Sequence, residues 1–258
     1  MSTDSLVARI EAVKPITSTA LDRRFTVYGI ADFLGKEYPP RDLILAPWLP
    51  VQGLCMIYAK RGIGKTFLAL EIAYAVASGG AVLRWRAPQP RGVLFIDGEM
   101  PASVTQERLA GIAAASELEP QAPLRVMPVD DQRHGIIDLS SIEDQVLLEP
   151  HLDGVDLVIV DNISTCCRSG RENETEGWIP VQECALALRA RGKSVLFLHH
   201  AGKGGAQRGT SKREDVLDTV IALRHPGDYD PATGAQLDRK STRLNSSHVV
   251  TSRMPSSA

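Results

Sequence analysis

One stretch constrains this chain more than any other: GLCMIYAKRGIGKTFLALEIAYAVASGG, residues 53–80. An apolar run ends at Ala59, a small-residue turn follows, and helical spacing from Phe67 stops at Gly79 and Gly80. Paired glycines just past the last periodic residue are a helix stop signal. A strand, a glycine turn and a helix in that order set consecutive backbone N–H groups at a helix N-terminus, where they can curl around phosphate oxygens. The turn itself reads Ala59-Lys60-Arg61-Gly62-Ile63-Gly64-Lys65-Thr66, the Walker A pattern with Ala at its first position. In that pattern Lys65 reaches the outer phosphates and the Thr66 hydroxyl ligates Mg2+, so the nucleotide-contacting run is Ala59 through Phe67. Ala59 is the departure, because its Cβ adds strain if the position needs φ > 0.

The rest of the chain supplies the sheet that such a loop requires. RGVLFIDGE (91–99), LRVMPV (124–129), VDLVIVDN (155–162), KSVLFLHH (193–200) and VLDTVIALRH (216–225) read as short buried strands. Helical patterns lie between them at SVTQERLAGIAAA (103–115), with Ser103 as the expected N-cap, and at WIPVQECALALRARG (178–192). Alternation of this kind predicts an α/β fold: right-handed βαβ units and a mostly parallel sheet with helices on both faces.

Several of these strands end in chemistry. Asp161 closes VDLVIVD, the Walker B pattern, and a carboxylate there would sit at the carboxyl edge of the sheet beside the Mg2+ held by Thr66. Glu99 follows VLFID and could orient and deprotonate an attacking water; Asp97, two residues earlier, is the alternative base. His199 and His200 end KSVLFLHH, where a ring nitrogen could bond a γ-phosphate. The next segment, AGKGGAQRGTSKRED, carries Lys203, Arg208, Lys212 and Arg213 among four glycines and no large apolar residue, which suits contact with a nucleic-acid backbone.

Composition narrows the class. A 258-residue chain with 43% apolar residues has enough core for one large domain, and no apolar run is long enough to span a membrane. Cys55, Cys166, Cys167 and Cys184 have no zinc-like spacing and read as reduced core thiols in a cytoplasmic protein. The net charge of −2 excludes a bulk polycation, though not a local nucleic-acid site. From Asp238 to Ala258 the texture changes to DRKSTRLNSSHVVTSRMPSSA, without apolar period. That string matches the translation of a common short-read sequencing adapter, so it is expected to be a disordered scar outside the fold. Without it, residues 1–237 carry a more acidic balance, since the tail holds Arg239, Lys240, Arg243 and Arg253 against Asp238 alone.

Together PWLPVQGLCMIYAKRGIGKT, LFIDGEMP, VDLVIVDN and LFLHHAGKGGAQRGTSKREDVLDTVIAL resemble the RecA-like P-loop ATPases, and within them the AAA_25 and plasmid RepA-type hexameric helicase branch. The resemblance runs from about Pro40 through Gln236. It implies a RecA-like core at 41–237 after an N-terminal segment at 1–40, with ATP and Mg2+ bound at subunit interfaces of a hexameric ring around single-stranded DNA. It also implies Lys65 and Thr66 on the phosphates, Glu99 as base, Asp161 as Walker B acid and His200 as γ-phosphate sensor. The segments after Asp161 and after His200 would face the channel; the former mixes Arg168 and Arg171 with Glu172, Glu174 and Glu176. The family's next strand, which carries a basic pair acting across the interface, is expected where the tail begins. On that expectation the core is incomplete at its C-terminal edge and the chain binds nucleotide better than it hydrolyses it. The same fold could serve a DNA-binding regulatory or recombination-mediator ATPase that does not unwind. A small-molecule kinase would need an arginine-rich lid, for which Arg84 and Arg86 are the candidates.

Overall fold

The computed structural model describes residues 26–38, 40–133, 135–168, 175–201, 215–224 and 248–251, with backbone alone for 175–177 and 248–251. The chain divides into two units, Met1–Pro40 and Arg41–Ala258. In the first, a short helix α1 (Ile30–Leu34) buries none of its residues. Tyr28, Phe33 and Tyr38 form a small ring cluster, with Phe33 centred 6.3 Å from Tyr28 and 5.8 Å from Tyr38.

The second unit opens with an antiparallel pair, β1 (Leu43–Leu45) and β2 (Leu49–Pro50). Then come β3 (Leu54–Ala59), helix α2 (Lys65–Ser78), a small hairpin of β4 (Ala81–Val82) and β5 (Trp85–Arg86), and β6 (Val93–Asp97). Helix α3 (Ala102–Ala115), β7 (Leu124–Pro128), α4 (Ile142–Leu148), β8 (Leu157–Asp161) and the one-turn α5 (Ile163–Cys166) follow. The described chain ends with α6 (Thr175–Ala190), β9 (Ser194–His200), β10 (Thr219–Arg224) and β11 (His248–Thr251).

The main sheet runs β11-β10-β3-β9-β8-β6-β7, and every neighbouring pair in it is parallel. This is the RecA-like α/β core expected from the alternation of patterns. Its decisive detail is that β9, late in the chain, is inserted between β3 and β8. Ala59 faces His200 on one side of β9, and Val160 faces Phe197 on the other.

Both faces of the sheet are covered, which is why its strands read as unbroken apolar runs rather than alternating ones. Cys55, Ile57, Phe95, Ile159 and Leu198 pack toward Leu68, Ile72 and Val76 of α2. Met56, Ile96, Val160 and Phe197 point the other way, toward Trp178, Val181 and Leu188 of α6. Burial pushes the Cys55 and Cys166 thiols up to about 12 and the Cys184 thiol to about 11, so these behave as small apolar fillers. The base of β3 is pinned by Asp218, which takes Arg41 Nη1 at 2.7 Å and the Leu54 N–H at 2.9 Å.

Three expectations change. Ser103 is not the N-cap of α3; Pro101 is, and the free N–H of Ala102 goes to Asp130 Oδ2 at 3.0 Å. Ala59 is not strained, since the left-handed positions fall on Gly62 (φ 80°) and Gly64 (φ 96°). The stretch 238–258, read as outside the fold, contains β11 beside β10. The weak helical pattern near 6–13 lies outside the described residues. Among the described residues no helix is long and apolar enough to cross a membrane.

Candidate active site

Parallel strands lay their carboxyl ends on one edge, and in this order the ends of β3, β9, β8 and β6 are adjacent. That edge holds a cavity of about 610 Å³ lined by Arg61, Gly62, Gly64, Lys65, Thr66, Glu99, Arg108, Thr165 and His200, among others. Residues far apart in sequence therefore meet at the mouth of the phosphate loop.

Gly64, in the left-handed conformation, caps α2 and lets the loop turn straight into the helix. Lys65 begins that helix, 6% exposed, with its Nζ 3.3 Å from the Ala59 carbonyl and 3.4 Å from that of Lys60. Burial lowers the Lys65 ammonium below its usual range, and the carboxylates of Asp161 and Glu99 partly oppose this. Ile63 is buried in the core and Phe67 is half-buried in the first turn of α2; neither side chain lines the cavity. Their part in a nucleotide-contacting run rests on their backbone.

Asp161 ends β8 with no exposed surface, and among the described residues neither carboxylate oxygen has a partner in hydrogen-bonding geometry. Burial pushes its carboxyl up to about 7; the Thr66 hydroxyl opposes the shift, while the charges of Glu99 and Asp97 add to it. An orphaned carboxylate beside a threonine hydroxyl fits a hard cation with oxygen ligands, so Thr66 and Asp161 are suited to hold Mg2+.

Asp97, the alternative base, is fully buried and fully used. Its Oδ1 accepts the N–H groups of Glu99 at 3.1 Å and Met100 at 2.9 Å, and its Oδ2 accepts the Thr105 hydroxyl. It builds the turn into α3 and leaves Glu99 as the acid that faces the cavity. Glu99 Oε1 lies 3.0 Å from His200 Nε2, whose Nδ1 lies 3.2 Å from Lys65 Nζ. His199, the other member of the pair, is fully buried and does not line the cavity.

Two residues here escaped the reading of the sequence. Asn162 directs its Nδ2 at His200 Nε2, 3.2 Å away. Arg108, on α3, lines the same cavity nine residues beyond Glu99. Neither sits in a local pattern; each is placed only by the turn that Asp97 and Asn162 hold. The proposed DNA contacts Lys203, Arg208, Lys212 and Arg213 lie outside the described residues. Arg86 lines a different cavity, beside Ser78 at the opposite end of α2 from the phosphate loop, and makes no lid over it.

The family described as an AAA domain, AAA_25, matches residues 22–206, most of the chain and every residue named above as lining the phosphate-loop cavity. This chain belongs to that AAA family. The AAA domain is a RecA-like P-loop ATPase, of a class that binds ATP with Mg2+. Among solved structures it is similar to a KaiC-like protein of the hyperthermophilic archaeon Pyrococcus horikoshii OT3, at 13% identity over 76% of each chain and a TM-score of 0.46.

Proposed function

We propose that this ATPase is a DNA motor resembling RepA-type replicative helicases, with hydrolysis coupled to single-stranded DNA in a cytoplasmic hexameric ring. One observation carries the reading. His200, which touches both Lys65 and Glu99, ends β9, and the chain continues from it directly into the cationic segment 203–213. A side chain that senses the phosphates is thereby covalently next to the residues best suited to a nucleic-acid backbone.

The division of labour follows from charge and position. The glycine loop and the α2 N-terminus hold the phosphate groups, with the Lys65 ammonium countering their charge. Thr66 and Asp161 would hold Mg2+, which when bound would supply positive charge against the phosphate oxygens. Glu99 orients a water for in-line attack and accepts its proton, which passes from water oxygen to carboxylate as the bond to the γ-phosphorus forms and the bond from that phosphorus to the β–γ bridging oxygen breaks, the oxygen leaving with ADP. His200 stands between the loop and that acid and reports their state along β9.

The test is ATP hydrolysis by the full chain with and without single-stranded DNA, alongside Lys65→Ala and a variant with Lys203, Arg208, Lys212 and Arg213 all changed to Ala. The reading expects DNA stimulation that the quadruple variant loses while it still binds ATP, and no ATP binding by Lys65→Ala. Strand separation on a forked duplex supports a helicase. Stimulated hydrolysis without separation identifies instead a regulatory or recombination-mediator ATPase. Hydrolysis indifferent to DNA would sink both.

A further inference from the structure

His200 Nε2 is contested. Glu99 Oε1 lies 3.0 Å from it and Asn162 Nδ2 lies 3.2 Å from it, while Lys65 Nζ stands 3.2 Å from Nδ1. A neutral imidazole has one N–H and one lone pair, and an ammonium can only donate. With Lys65 in place the lone pair must therefore be on Nδ1 and the proton on Nε2, from which it is donated to Glu99. In that tautomer the Asn162 amide N–H confronts another N–H.

Turning the amide over does not relieve the conflict. Asn162 Oδ1 accepts the Ser164 N–H at 2.7 Å, as N-cap of α5, and this bond fixes which end of the amide faces His200. Asn162 has no exposed surface, so water cannot take over its unused donor. Glu99 favours a protonated Nε2, and Asn162 favours a bare one.

We propose that Asn162 is a positioning residue that stabilises the Nδ1–H tautomer of His200 and thereby frees Glu99 for its work on water. Lys65 decides between the two forms. When phosphate draws the ammonium away, Nδ1 can carry a proton. The ring gives one proton to water from Nε2 and takes one from water at Nδ1, remaining neutral. Nε2 then accepts from Asn162, and the Glu99 carboxylate loses its one described side-chain hydrogen-bond partner and becomes available to water. Arrival of phosphate is thus converted into release of the base. This rests on the reading of Glu99 as base and Lys65 as phosphate ligand given above.

The decisive experiment is 15N NMR of histidine-labelled full chain, with His200→Gln identifying the resonances, before and after a non-hydrolysable ATP analogue with Mg2+. Two variants separate this role from the cap. Asn162→Ser keeps a capping oxygen and removes Nδ2; Asn162→Asp keeps the cap and offers Nε2 an acceptor. In the natural chain the analogue should move His200 from the Nε2–H to the Nδ1–H form. Asn162→Ser should weaken that shift and Asn162→Asp should abolish it, with nucleotide affinity unchanged and hydrolysis lowered about tenfold, the size of one positioned hydrogen bond.

A tautomer that ignores the analogue overturns the proposal, as does one that moves equally in all three proteins. Parallel loss of nucleotide affinity and melting temperature in both variants also overturns it, by assigning Asn162 to structure alone. If Lys65→Ala still binds the analogue, it is the underlying reading that fails. If Lys65→Ala loses binding while the tautomer never moves, only this inference fails.

Discussion

Asp97 and Asp161 are register partners across β6 and β8, both without exposed surface, yet Asp97 accepts three hydrogen bonds while neither carboxylate oxygen of Asp161 has a partner in hydrogen-bonding geometry among the described residues. Two carboxylates of the same type at the same depth thus have opposite uses. One is satisfied and builds a turn; the other is left bare for a cation.

The bare one makes a stability prediction. Asp161 has a folded value of about 7 against a usual 3.8, so the native state holds its proton more tightly than the unfolded chain. Its contribution to stability therefore falls as pH rises from about 4 to about 7 and stays lost above. In metal-free and nucleotide-free protein, Asp161→Asn should raise the melting temperature at pH 8 and change it little at pH 4; assayed separately with ATP and Mg2+, the same variant should lose hydrolysis. Equal melting temperatures at pH 8 would contradict an unpaired carboxylate.

The satisfied one predicts the reverse. Asp97→Ala strands the N–H groups of Glu99 and Met100 and the Thr105 hydroxyl, so unfolding free energy should drop by about 1–3 kcal/mol or more. Denaturant melts would measure it. Because the same bonds aim Glu99, ATP turnover should fall further than ATP affinity.

Gly98 allows the close approach between these strand ends, where its N–H meets the Asp161 carbonyl at 2.6 Å. A Cβ there would lie 2.4 Å from Thr165 Oγ1 and 2.8 Å from Cys166 Sγ. Gly98→Ala should cost about 1–3 kcal/mol by overpacking and weaken hydrolysis, because α5 and its Asn162 cap must shift. A melt matching the natural chain would show that α5 yields freely.

Asp218 gives an acid-side signature. It is desolvated, but the Arg41 guanidinium and the Leu54 N–H outweigh that and hold its carboxyl below the usual range, with Arg189 assisting. Its stabilisation is present above the ordinary carboxylate range and is lost as pH falls through the folded value. Asp218→Asn should melt lower than the natural chain at pH 7, and the two should converge under acid.

The strands of the core were legible because burial on both faces writes them as apolar runs such as VLFID and VDLVIV, and because the glycines of the phosphate loop occupy the very positions with φ > 0. Short elements were not. β1, β2, β4 and β5 have two or three residues each, too few for any period. Helix α4 exposes Ile142, Val146 and Leu147, so its apolar residues do not mark an inward face. In the site, the places of Glu99 and Asp161 are readable from strand-end position and that of Lys65 from the glycine-loop pattern. The roles of Asp97 and Asn162 depend on which donors the turns bring to them, information carried by contacts rather than spacing. Ser103 misled for the same reason: a cap supplied from Asp130, 28 residues away, leaves no local mark.

The place of β9 between β3 and β8 also sets a timetable. Both strands that flank β3 are made long after it, and Lys65 waits 135 residues for His200. While the ribosome works through α3, β7 and β8, the strand LCMIYA has neither neighbour, and its phosphate loop hangs from an unpaired apolar edge. A nascent chain halted before residue 194 thus carries every glycine of the nucleotide loop but neither strand that flanks β3 and no His200. Such stalled chains are candidates for holdase capture rather than for catalysis.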